Sequence, residues 1–445
     1  MKRIVTLLIC LSMILSLVAC SGGAKETETA EPQGAQNTAP VQNEEKTEEE
    51  KKTEEKKPVT VEDTSMIEKL NAIPIANSSM SSDELRKMCV DYMRLACSYT
   101  YTPSKDYTYV VSSQELTEVE YKGQLYAGLP YVTAGSGSLY RVANYYDSKT
   151  GVLNISPFVD KAWMYGNACS GGVCTAWSRC INSVQFGYTQ HMTQGNGYIN
   201  VGPYTYPDDF KLFENNHRNN YDAKAVIKEN GEQIMYQSYA ALKLGDGIVN
   251  TGHVRMNSLA EPVVVYNADG TINGEESYIT YLDQICYNTS ETYKKTQSDG
   301  TVYFTQGGID VKCSFASLYK GNYLPFTFEE FLDPSKVEKA YVDIGITASS
   351  IKHADLKAAT VKSNYNISDI YFSIKDESGK VLLPARAIRC KNFFTYEVKL
   401  SEKIDEAFPD TMVYNYAKDG GILEVTVQLY NGELITAYTG NITYN

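Results

Sequence analysis

The chain has 445 residues, enough for two to three domains, and a net charge of −13 with 41 Lys and Arg against 54 Asp and Glu. The acidity is spread out and basic residues come only in short pairs such as Lys51-Lys52, so no nucleic-acid surface is expected. The four histidines show no metal-binding spacing and no Cys-x-x-Cys occurs, so neither a metal nor another cofactor is expected.

Residues 1–20 read as a signal peptide, with Lys2 and Arg3 ahead of an apolar run from Ile4 to Val18. Leu17-Val18-Ala19-Cys20 resembles a bacterial lipobox. That resemblance implies cleavage before Cys20 and a lipid on its sulfur, hence a partner in the bilayer and an extracytoplasmic location. Residues 21–60 lack aromatics and are mostly Glu, Lys, Thr, Gln, Ala, Pro, Gly and Asn. Such a segment cannot bury enough apolar surface to offset its chain entropy, and reads as a disordered tether with a contour length on the order of 130 Å.

Ser81-Ser82-Asp83-Glu84 has the pattern of a capping box, and Leu85, Met88, Cys89, Tyr92 and Ala96 then follow at helical spacing. Residues 107–145 are rich in Tyr and Val with Gly turns and read as strands. Gly166-Asn167-Ala168-Cys169-Ser170-Gly171-Gly172-Val173 opens a further helix, with Val173, Ala176, Trp177, Cys180, Ile181 and Val184 as its apolar stripe. Cys169 then lies in the first helical turn, where unpaired N–H groups and the helix dipole favour a thiolate. Gly171 and Gly172 allow close approach of another backbone or a substrate. Residues 187–222 read as a long irregular insertion of the kind that shapes clefts. Glu232 to Leu242 reads as a short helix, followed by strands near 248–257, 261–267 and 277–283, with a turn at Asp269-Gly270.

The order Cys-Ser-Gly-x-Val, Leu244-Gly245-Asp246, Gly252-His253-Val254 resembles the papain-like cysteine hydrolases of the NlpC and CHAP type over roughly residues 155–290. The resemblance implies an α+β papain-like fold, attack by Cys169 on a carbonyl, and His253 as general base. It also implies an orienting residue at the end of the next strand, which is Asp283 or its neighbour Gln284. The Cys169 N–H is one oxyanion donor and Tyr165 a candidate for a second. The implied substrate is a peptide or amide of the cell wall. Gly172-Val173-Cys174 with Ala176 also resembles the transglutaminase-like pattern, with Cys174 as nucleophile. A third reading is a non-catalytic surface lipoprotein that binds glycan or peptide. The 36 tyrosines, each an apolar body with a polar tip, suit a binding surface but also suit an ordinary extracellular fold.

Beyond residue 330 the texture changes. Val337 to Ile346, Ile370 to Ile374, Phe394 to Leu400 and Leu423 to Leu429 alternate apolar and polar residues, and Asn431-Gly432 leads into Leu434–Tyr438 as a hairpin. Short strands at this spacing predict an immunoglobulin-like β-sandwich over 331–445, following a papain-like domain over 61–330. Eight cysteines remain after Cys10 and Cys20. Spacings within each predicted helix lie at or beyond disulfide reach, so any disulfide must be long-range.

Overall fold

The structure is a computed structural model. It describes residues 66–444 except 111–116, 134, 136, 183, 185–188, 193–196, 209–222, 286–293, 297–298, 392–394 and 419. The signal segment with Cys20, the 21–60 tether, His217 and much of the 187–222 insertion lie outside the described residues. The chain from Asp63 to Asn445 forms one unit, a mixed α+β architecture with several sheets.

Two apolar cores lie within this unit. The first runs from Met66 to Val337 and the second from Ala340 to Ile442. The first is organised by two helices and a six-stranded sheet. Helix α1 (Ser82–Ser98) begins at the capping box: Ser81 accepts from the Glu84 N–H, and the Glu84 carboxylate accepts from the Ser81 N–H. Helix α2 (Cys169–Trp177) packs on α1. The sheet contains β1 (Ile199–Asn200), β2 (Gly247–Val249), β3 (Val254–Asn257), β4 (Tyr278–Gln284), β5 (Gly307–Ser314) and β6 (Leu324–Thr327), in the order β5-β4-β3-β2-β6-β1.

The sequence pattern near 248–257 is thus two strands, β2 and β3, separated by a turn. In that turn the Asn250 side chain accepts from the Gly252 and His253 N–H groups. The 261–267 stretch makes isolated bridges, Val263 to Tyr278 and Tyr266 to Ile272, in place of a strand. Within 107–145 the chain also forms a short helix, Leu139–Ala143, where Tyr and Val had suggested strands alone.

Every residue of α2 is buried, so the helix has no solvated face. The expected stripe runs past the helix, since Cys180, Ile181 and Val184 lie beyond its end at Trp177, and within the helix α1 covers one side and β3 and β4 the other. Small residues make this possible. A Cβ at Gly172 would approach the Gln284 Cβ to 3.2 Å and the Met93 Cε to 3.4 Å. Trp177 closes the far end of the helix, donating from Nε1 to the Gly245 carbonyl at 2.8 Å.

The second core is built on a five-stranded sheet. Its strands are β7 (Ser350–Lys352), β8 (Ile367–Lys375), β9 (Val381–Arg389), β10 (Gly421–Leu429) and β11 (Leu434–Thr443), in the order β7-β11-β10-β8-β9. Leu423, Val425, Val427 and Leu429 are fully buried, as their alternation predicts. A three-stranded sheet and the short helices His353–Ala358, Ile404–Ala407 and Asp410–Ala417 complete it. The helices were not legible in a pattern read as strands. The hairpin after β10 turns through Asn431 and Gly432, the latter at φ 101°, and its tip lies against the Arg179 and Tyr140 side chains of the first core.

A buried charge group also joins the cores. Arg141 Nε stands 3.2 Å from Asp369 Oδ1, both with fully buried side chains, and Arg389 Nη1 stands 3.0 Å from the same carboxylate. Burial raises the Asp369 pKa, but the two guanidinium charges outweigh it and hold the carboxyl below its ordinary range.

Candidate functional site

Three side chains far apart in sequence meet at the start of α2. Cys169 is the first residue of the helix and 5% exposed. Ala168 precedes it and offers no side-chain cap, so the first N–H groups of the helix remain for other acceptors. The His253 ring and the Ser170 and Val254 N–H groups lie close enough to the Cys169 sulfur to favour its charged form.

His253 immediately precedes β3. Its side chain keeps 14% exposure and its Nε2 lies 2.9 Å from Asp283 Oδ2. This leaves Nδ1 as the ring nitrogen for the thiol. Asp283 sits near the end of β4, which pairs antiparallel with β3, and is 1% exposed. A bulge in the β4–β5 pairing lies between Tyr281 and Asp283. Gly308, opposite Asp283, leaves room that a Cβ would take from Oδ1.

The electrostatics follow from this line of contacts. Burial opposes a thiolate at Cys169, but the His253 charge, the His253 hydrogen bond and the two backbone N–H groups outweigh it, and the thiol lies below its ordinary range. Burial likewise opposes an imidazolium at His253. The Cys169 charge and the Asp283 hydrogen bond overcome that, and the ring is raised to about 9. Each partner thus stabilises the charged form of the other, which is the condition for a thiolate–imidazolium pair near neutral pH.

The remaining sequence candidates are placed differently. Gln284 points into the interior: its Nε2 donates to the Gln306 carbonyl at 3.0 Å and also to the Leu129 carbonyl. On an antiparallel strand successive side chains alternate faces, so Asp283 and Gln284 cannot both reach His253. Tyr165 is fully buried and donates its hydroxyl to Glu120 at 2.9 Å, within a cluster of tyrosine rings. That hydroxyl is therefore committed away from an oxyanion. Cys174 lies inside α2, 1% exposed, and burial raises its thiol well above the ordinary range. Asp246 serves the scaffold. Its Oδ1 binds Arg86 at 2.6 Å and its Oδ2 accepts from the Lys243 N–H at 2.7 Å.

Two further groups were not singled out from sequence. Arg255, two residues after His253 on β3, lies between the rings of Tyr281 and Tyr323, 4.2 Å and 4.7 Å from their centroids. Its Nε is 3.5 Å from Asp283 Oδ2. The i, i+2 spacing from His253 on a strand was the available signal. Glu120 accepts from the Tyr101 and Tyr165 hydroxyls, and burial pushes its pKa up to about 7 against those two bonds. Nothing in its local sequence marks it as buried.

Among the described residues, no group of three or more His, Cys, Asp or Glu side chains is arranged to hold a metal ion. No protein-family model matches the chain, and no curated protein matches it.

Proposed function

We propose that this chain is a cysteine hydrolase, a peptidase or amidase of papain-like α+β type, carried on an extracytoplasmic lipid anchor at Cys20 and followed by an immunoglobulin-like β-sandwich. The observation that carries the reading is the Cys169–His253–Asp283 line, with its sulfur at a helix start and its imidazole held by a buried carboxylate. Cell-wall peptides are the substrate class that the NlpC and CHAP resemblance suggests.

In the proposed mechanism the Cys169 thiolate attacks the amide carbonyl and the developing oxyanion takes the Cys169 N–H, which as the first residue of α2 has no intrahelical acceptor. The C–N bond breaks as the His253 imidazolium gives its proton to the leaving amine. Water then attacks the thioester while His253 takes a proton back, and Asp283 keeps the ring oriented throughout.

The test is the pH dependence of iodoacetamide labelling on the full chain, with the modified cysteine located by mass spectrometry. Selective alkylation of Cys169 well below pH 8, abolished by His253→Ala, supports the reading. A Cys169 that reacts only in the ordinary thiol range removes the enzyme and leaves a binding protein. Alkylation of Cys174 in its place moves the transglutaminase-like reading ahead.

A further inference from the structure

Helices α1 and α2 do more than shelter the sheet: at the end of α2 remote from Cys169 they bring two thiols together. Cys89 is on α1, and Cys180 lies three residues past the end of α2. Their sulfurs are 3.4 Å apart and both side chains are fully buried. A lone buried cysteine is ordinarily a small hydrophobe. Two in van der Waals contact, 91 positions apart, are a different object. A disulfide has an S–S distance of about 2.0 Å, so a closing movement of roughly 1.4 Å completes the bond. Other thiols point elsewhere: the Cys97 sulfur to the Asp283 carbonyl at 3.4 Å, and the Cys313 sulfur to the Ser314 carbonyl at 3.8 Å.

We propose that Cys89 and Cys180 form a disulfide, made by exchange with a donor disulfide, small-molecule or protein, as the chain folds. The Cys89 thiolate attacks one sulfur of the donor, breaking its S–S bond and releasing one donor thiolate. The Cys180 thiolate attacks the Cys89 sulfur of the mixed disulfide, forming the Cys89–Cys180 bond and expelling the second donor thiolate. The two thiol protons pass to the donor thiolates. Two cysteines are oxidised by two electrons, and the donor is reduced to two thiols.

Burial sets the timing. It pushes the Cys180 thiol well above its ordinary range, so exchange belongs to the stage before the core closes, and the same burial shields the finished bond from reductants. The bond spans a long loop, where crosslinking restricts the unfolded chain strongly. It fastens the end of the helix whose start carries Cys169, next to Arg179, which meets the Gly432 hairpin tip. The inference stands apart from the proposed activity, since it needs no reaction at Cys169.

The test uses the full chain carrying Cys169→Ala, which removes the most reactive competing thiol. It is refolded from the reduced, denatured state in a mixture of reduced and oxidised glutathione. Isolation of the folded protein, alkylation by iodoacetamide in denaturant, digestion without reductant and mass spectrometry should give a peptide pair joined through Cys89 and Cys180, lighter by two hydrogens than the separate thiols. Recovery of folded protein with both cysteines alkylated overturns the proposal. In a second measurement protein refolded with oxidised glutathione should melt on the order of 5 °C above protein refolded with reductant throughout, while the Cys89→Ala, Cys180→Ala double variant should melt alike after either refolding. An equal response of the two proteins overturns it as well.

Discussion

His253 and Asp283 are 30 residues apart, yet Nε2 of the ring lies 2.9 Å from Oδ2 of the carboxylate because β3 and β4 run antiparallel side by side. That contact fixes which ring nitrogen is left for Cys169. Asp283→Asn preserves the shape and changes the preferred tautomer. Peptide or amide hydrolysis should fall by on the order of 10²-fold or more, with the secondary structure unchanged by circular dichroism. An unchanged rate would remove Asp283 from the site.

The Cys169 thiol is lowered by His253 against the opposing effect of burial. In His253→Ala the lowering effect of the ring is gone while burial remains, so the apparent pKa of Cys169 should move upward past the ordinary thiol range. A pH series of alkylation rates reads this directly. A labelling midpoint that stays low in the variant would show that the helix start alone sets the thiolate.

Hydrolysis should follow a bell-shaped pH profile. The acidic limb rises as Cys169 ionises, below the ordinary thiol range, and the alkaline limb falls near pH 9 as the His253 imidazolium loses the proton it gives to the leaving group. Alkylation by iodoacetamide needs no such proton and should show no alkaline fall. A matching fall in both assays would point to unfolding in place of titration.

Gly308 faces the Asp283 carboxylate, and a Cβ there would displace Oδ1. Gly308→Ala should lower turnover by at least about 10-fold through the orientation of His253, with the melting temperature little changed. Full activity would show that the carboxylate can shift without consequence.

Glu120 is raised by burial to about 7. An acid whose folded pKa exceeds its unfolded value binds more protons when folded. It therefore lowers stability as pH rises from about 4.5 through about 7 and adds no further slope above that. The span is worth up to roughly 3 kcal/mol. Glu120→Gln should flatten that part of the stability curve measured by urea unfolding, and an unaltered slope would show that the folded carboxylate is already solvated.

Asp369 lies between two guanidinium groups, that of Arg141, fully buried, and that of Arg389, partly exposed. Asp369→Ala should cost roughly 3–5 kcal/mol in the same unfolding measurement, because it leaves Arg141 charged with no exposure to water.

Local patterns were sufficient for several elements. The Ser81–Glu84 capping box, the start of a helix at Cys169 and the alternation of Leu423 to Leu429 depend on neighbours within a few residues, and each lies in the structure as its spacing predicts. Cys169, His253 and the acidic end of the strand after it were nameable because their order along the chain, at helix and strand boundaries, resembles that of the NlpC and CHAP pattern. The choice between Asp283 and Gln284 was not, since consecutive strand residues face opposite ways and only the sheet's position against α2 says which face is which. Tyr165 and Glu120 were illegible for the same reason. Their bond joins residues 45 apart through a buried cluster, and burial is a property of the packed whole. So too for Cys89 and Cys180, whose separate helical stripes record only that each is apolar. The chain thus determined its helix and strand starts by local chemistry, whereas the partners of its buried polar groups were decided by which surfaces the tertiary fold removed from water.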